Sequence, residues 1–292
     1  LNKGFLMLPM RQRFVQCASP AGLHRMAYTE WGDPHNPKVL VCVHGLTRCG
    51  RDFDFLALAL AAEYRVVCPD VAGRGRSDWL VNKALYGVPQ YVADMVTLIA
   101  RLDVEQVHWV GTSMCGLIAM ALAAQQHTPI TRLVLNDVGP VVTAVSMARI
   151  AEYVGNDPRF DSLEQAEQFV RAVSPTFGRL TDAQWRHLTE HVVRTGVDGK
   201  IEFRYDPGIA EPFRQSMGEG GDLELWPYYD AIRCPTLVLR GAQSDLLRPE
   251  TVAQMAQRGP HAQTAEIPDV GHAPMLMDEA QIAVVRGYLY AA

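Results

Sequence analysis

The sequence predicts an α/β protein: a mostly parallel sheet with helices on both faces, interrupted by an inserted helical segment. Short β-branched runs alternate with longer helical patterns along most of the chain. Several of those runs are nearly continuously apolar, as strands buried on both faces must be. The alternation then stops between Val141 and Leu225, a stretch far longer than an ordinary αβ connection, and resumes after it.

In chain order, Arg13 to Cys17 and Leu23 to Glu30, split by Pro20-Ala-Gly22, read as an antiparallel hairpin at the sheet edge. Lys38-Val-Leu-Val-Cys-Val43 is the first buried strand, followed by a helical pattern over Asp52 to Ala62. Arg65-Val-Val-Cys68 is the next strand, and Val88 to Leu102 the next helix. Val107-His-Trp-Val110 leads into a helix over Met114 to Gln125, and Leu133-Val-Leu135 follows. The interruption carries three helical patterns, Val142 to Val154, Ser162 to Val173 and Thr181 to Thr195. The last opens on Thr181-Asp-Ala-Gln184, the residue order of a capping box. After it come Thr236-Leu-Val-Leu239 as a strand and helices over Pro249 to Gln257 and Glu279 to Leu289. The chain therefore divides into a core of residues 1–140 and 226–292 and a helical cap of residues 141–225.

Composition narrows the function classes. The 292 residues suffice for a large core, and 48% hydrophobic with 20% charged residues is globular rather than disordered. With 27 basic against 32 acidic residues and no basic stripe, nucleic acid and anionic membrane are not expected partners. No run approaches the ~18 apolar residues of a membrane span. The short apolar stretch after Lys3 has no cleavage site behind it. A cytoplasmic location is the expectation. The six cysteines form no C-x-x-C pair and sit mostly in strand-like runs, so they read as reduced, buried thiols.

Chemistry concentrates at strand ends. Gly111-Thr-Ser113-Met-Cys115 follows an apolar strand and opens a helix, the setting in which G-x-S-x-G makes a nucleophile elbow. The last small position is Cys115, with Gly116 after it. His44-Gly45-Leu46 ends an earlier strand. Leu239-Arg-Gly-Ala-Gln-Ser-Asp245 sets an acid just past a later strand, and Asp269-Val-Gly-His272 sets a histidine near the C-terminus. Serine, acid and histidine occur in the order of one known triad arrangement.

On these four motifs the sequence resembles a capped serine hydrolase of the α/β-hydrolase fold superfamily, similar to bacterial carboxylesterases. The resemblance spans nearly the whole chain and implies an eight-stranded sheet. It implies Ser113 as nucleophile, His272 as general base and acid, and Asp245 as the acid that orients the imidazole. It also implies the backbone N–H groups of Leu46 and Met114 as the oxyanion hole. No cofactor and no metal follow from it. The departure is Cys115, which bears on packing beneath the elbow.

Rival assignments stand beside these. Cys115 lies about 200° around the helix from Ser113, which turns it away from the cleft. Asp137, after Leu133 to Leu135, is the alternative acid. Arg48 reads either as a receptor for a substrate carboxylate or as a solvated loop cation. His187-Leu-Thr-Glu-His191 matches H-x-x-E-H, but no third ligand is apparent, and an exposed cap helix accounts for it. The aromatic residues Phe169, Phe177, Trp185, Phe213 and Trp226 predict an apolar pocket. The expected function is hydrolysis of small, fairly apolar carboxylic esters through an acyl-serine. Carbon–carbon or amide hydrolysis on the same triad, and a non-catalytic receptor, are the alternatives.

Overall fold

The computed structural model describes residues 10–216 and 221–291, so the N-terminal stretch weighed against a signal segment lies largely outside the described residues. Its main sheet has eight strands in the order β1-β2-β4-β3-β5-β6-β7-β8. These are β1 (Arg11–Ser19), β2 (Gly22–Trp31), β3 (Val39–Val43), β4 (Arg65–Pro69), β5 (Val107–Thr112), β6 (Ile130–Asn136), β7 (Thr236–Gly241) and β8 (Gln263–Ile267). β1 and β2 form the expected edge hairpin, paired antiparallel from Arg11 with Glu30 to Ser19 with Gly22. From β4 onward the neighbours run parallel.

Burial follows the pattern that the apolar runs imply. All five residues of β3 and all six of β7 are buried, since helices cover both faces. Helices α1 (Asp54–Leu60), α2 (Val88–Leu102), α3 (Met114–Ala123), α9 (Pro249–Met255) and α10 (Glu279–Tyr290) supply those layers. One core cluster gathers Leu98, Trp109 and Ile118 on one face. Another gathers Leu56, Leu60 and Val285 on the other. Among the described residues no helix is long and apolar enough to cross a membrane.

The segment between β6 and β7 contains α4 (Ala144–Tyr153), α5 (Leu163–Val173), α6 (Asp182–Val192), α7 (Ala210–Ser216) and α8 (Trp226–Ala231). It is not purely helical as read. A three-stranded antiparallel sheet joins Arg159–Phe160, Ile201–Phe203 and Val193–Thr195. The helical pattern expected to reach Thr195 therefore stops at Val192, where the chain turns extended and the β-branched pair Val192-Val193 enters a small apolar cluster with Phe160. Thr181 and Gln184 form both bonds of the capping box. Nor is α6 an exposed helix: Trp185, Leu188, Thr189 and Val192 are buried.

Candidate active site

The elbow forms where β5 hands over to α3. Ser113 sits between them at φ 54° and ψ −124°, a conformation that side chains rarely adopt and that tight packing must hold. Its N–H donates to Asn136 O at 3.1 Å on the neighbouring strand. Space beneath the turn is minimal: a Cβ on Gly111 would stand 2.6 Å from Cys115 O, and one on Gly116 3.2 Å from Gly111 O. The close approach thus falls on Gly111 and Gly116. Cys115 is fully buried in the core, and burial pushes its thiol well above the usual range, so it stays protonated and unreactive.

His272 Nε2 lies 2.8 Å from Ser113 Oγ. Its Nδ1 lies 2.7 Å from an Asp137 oxygen, not from Asp245. The carboxylate that faces the imidazole is therefore Asp137, where the resemblance implied Asp245. Asp137 follows β6 at φ 54° and is fully buried. Its carboxylate also accepts the Gly241 N–H at 2.9 Å and the Ser244 hydroxyl at 2.6 Å. Asp245 instead points outward, 54% exposed, and pairs with Arg149 of α4 at 2.9 Å. β6 and β7 are adjacent strands, so an acid past either C-terminal end comes near one histidine, and chain order cannot separate them. The loop after β7 does serve the histidine's partner, through Ser244.

Asn136 borders the elbow, and no sequence signal pointed to it. Its amide donates to Thr112 Oγ1 at 3.0 Å and to Pro274 O at 2.8 Å, tying the elbow strand to the segment after His272. Thr176, in the inserted segment, donates its hydroxyl to His272 O at 2.6 Å, and its carbonyl accepts the Gly271 N–H at 2.7 Å.

The His-Gly turn after β3 faces the serine, since a Cβ on Gly45 would sit 3.7 Å from Ser113 Cβ. Leu46 follows in this turn, and Met114 opens α3, where the first N–H groups have no carbonyl upstream to bond. Arg74 backs both residues. This buried guanidinium donates to Leu46 O at 2.8 Å, Ala72 O at 2.8 Å and Tyr91 Oη at 2.7 Å, and lies 3.7 Å from Met114 Sδ. Among the described residues no carboxylate lies within ion-pair distance of it. No sequence signal distinguished Arg74 from the solvated arginines around it.

His44 is locked by its partners. Nδ1–H donates to Gly45 O at 2.7 Å, while Nε2 accepts the Val71 N–H at 3.0 Å. Protonating Nε2 would break the second bond inside a buried site, and burial lowers the pKa from 6.5 to about 4. A lowered pKa means that the unfolded chain takes up its proton first. Stability from His44 is therefore whole above pH 6.5 and is lost as pH falls toward about 4, by about 3 kcal/mol. Urea unfolding across that window should show this loss in the wild type and its absence in His44→Gln.

A cavity of about 180 Å³ opens over Ser113 and His272. Ile150, Tyr153, Phe169, Phe177 and Phe203 of the inserted segment form its apolar wall. Trp185 stacks behind Phe177 at 6.1 Å, whereas Phe213 and Trp226 pack elsewhere and do not line the cavity. Arg48 reaches the wall but is neither solvated nor free. Asp52 holds it at 2.8 and 2.7 Å, and its side chain is 14% exposed. Arg149 is the second cation there.

Residues 38–278 match the family model for the alpha/beta hydrolase fold. A 3-hydroxybutyrate-oligomer hydrolase of Cupriavidus necator is 55% identical over 97% of this chain and 98% of its own length. An N-formylmaleamate deformylase of Pseudomonas putida is 26% identical over 85% of this chain and 86% of its own. The crystal structure of an alpha/beta hydrolase from Novosphingobium aromaticivorans superposes with a TM-score of 0.85 at 37% identity, covering 97% of this chain and 99% of that one. With the sheet order, the elbow and these matches together, the chain belongs to the α/β-hydrolase fold family.

Proposed function

We propose that this chain hydrolyses carboxylic esters through an acyl-serine intermediate, and that short 3-hydroxyacid oligoesters are its substrates. The observation that carries the reading is the unbroken hydrogen-bond chain Ser113–His272–Asp137 at the floor of an apolar cavity. His272 Nε2 takes the Ser113 proton as Oγ attacks the ester carbonyl. The resulting oxyanion turns to the Leu46 and Met114 N–H groups, each contributing about 3 kcal/mol at the transition state. His272 then gives its proton to the leaving alkoxide, and the acyl-serine forms. Water, deprotonated by the same nitrogen, attacks the acyl carbonyl, and Ser113 leaves with the proton. Asp137 holds Nδ1–H throughout, so the other nitrogen stays the base.

Residues 141–225 act in this reading as a lid, because their side chains form the cavity roof. The substrate class is that in the name of the 55% identical relative, which covers nearly all of both chains. Its chemistry suits the cavity: methyl-bearing ester units against Ile150 and Phe169, with a terminal carboxylate toward Arg149 at the wall. Amide hydrolysis is the second reading, favoured by the deformylase relative.

Rates on the dimer and trimer of 3-hydroxybutyrate, the dimer methyl ester, p-nitrophenyl butyrate and a p-nitroanilide separate these. The expected result is turnover of the esters and none of the anilide. Arg149→Met should raise KM for the free-acid dimer and leave that for its methyl ester unchanged. Activity on the anilide alone would overturn the ester reading.

A further inference from the structure

His187 and His191 stand one turn apart on α6 with ring centroids 4.4 Å apart. The third ligand that the sequence did not reveal comes from across the fold. Asp54, the first residue of α1, brings a carboxylate oxygen to 3.4 Å from His187 Nε2. One ligand atom from each of the three residues lies within 4.8 Å of the others. Ligands around a tetrahedral ion with bonds of ~2.0–2.1 Å are separated by about 3.3 Å, so small side-chain rotations close the set.

The hydrogen bonds prepare the His191 ring and set a condition on the His187 ring. His191 Nδ1 bonds His187 O at 2.7 Å and His187 Nε2 bonds Arg51 O at 3.0 Å. A carbonyl only accepts, so each of these nitrogens carries the proton: His191 keeps its lone pair on Nε2, whereas His187 must release the Arg51 bond and move its proton to Nδ1 before the Nε2 beside Asp54 can take an ion. Phe55 packs edge-on against His187 at 5.4 Å and gives the ring an apolar neighbour. Asp54 is shared with Arg51, whose Nε lies 2.9 and 2.7 Å from the two carboxylate oxygens. A carboxylate has about four lone-pair sites, so it can take an ion while keeping the arginine. Two imidazoles, one carboxylate and an open fourth position are a donor set for Zn²⁺ and similar divalent ions.

We propose that Asp54, His187 and His191 form a transition-metal site that fastens α6 to the core and slows turnover when filled. The ion would bridge two regions of the cavity wall. Asp52 and Phe53, just before Asp54, line the cavity, and so does Val192, just after His191. Fixing α6 against α1 resists any opening of the roof needed to admit substrate or release product. Metal binding is independent of the proposed ester chemistry; only its effect on turnover rests on that reading.

The test uses the full chain with Ser113 first blocked by a fluorophosphonate, which removes the serine-histidine pair as a competing site. Titration with Co²⁺ should give the visible d–d bands of a tetrahedral ion, and Zn²⁺ calorimetry should show one saturable site. Both signals should weaken by at least ~10-fold in His191→Ala, His187→Gln and Asp54→Asn, with folding checked by circular dichroism. Binding that persists in the three folded variants, or is absent from the wild type, overturns the site. On the unblocked enzyme, Zn²⁺ should inhibit p-nitrophenyl butyrate turnover and His191→Ala should relieve that inhibition. Equal inhibition of the variant, or binding without inhibition, overturns the fastening of α6. If no ester is turned over at all, the calorimetry still decides the site.

Discussion

Asp137→Asn is expected to lower kcat by about 10⁴, whereas Asp245→Asn leaves it nearly unchanged. Asparagine in the buried position can still accept the Gly241 N–H at Oδ1, so the fold persists. Its amide, however, can donate to His272 Nδ1, which stabilises the tautomer with the proton on Nε2. That nitrogen can then no longer take the Ser113 proton, and the loss appears in kcat. Asp245 contributes only a half-exposed pair with Arg149, worth ~0–1 kcal/mol. Steady-state kinetics on p-nitrophenyl butyrate decides between them. The opposite ranking would return the acid's role to Asp245.

Ser113→Ala should lower kcat by about 10⁶ and abolish labelling by a fluorophosphonate. The residual rate would come from the oxyanion donors and the cavity alone. Peptide mapping should find the label on Ser113 in the wild type and also in Cys115→Ser, because the Cys115 thiol is buried and protonated. Label on Cys115 would overturn the serine mechanism. His272→Ala should lose labelling as well, since the hydroxyl loses the nitrogen that takes its proton.

What was legible in the sequence was whatever local pattern controls. The edge hairpin, the buried runs of β3 and β7, and the full extent of α2 from Val88 to Leu102 follow from alternation, continuous apolarity and helical spacing. Ser113 and His272 were candidates because their flanking turns are local, and the structure brings those two side chains together. The choice of acid was not legible. It depends on Asp137 adopting positive φ and on Ser244 and Gly241 crossing from β7 to receive it, which are long-range facts. The same holds for Asp54 beside the α6 histidines and for Arg74 beneath the His-Gly turn. The small sheet around Ile201–Phe203 escaped notice because strands of two or three residues are too short for periodicity to register.

Arg74 links the endurance of the site to the endurance of the fold. A guanidinium buried without a carboxylate is tolerated only while carbonyls and a phenol surround it, and here those groups come from three separate stretches of chain. Local opening of any of them exposes an ion that water solvates better than the protein does, which favours further opening. Damage at this point therefore does not stay partial: a molecule in which the turn behind Leu46 has loosened is on its way to unfolding. In a population under heat or denaturant, loss of the donors facing Ser113 and loss of the core around Arg74 should be one cooperative event, leaving few molecules that are folded but inactive.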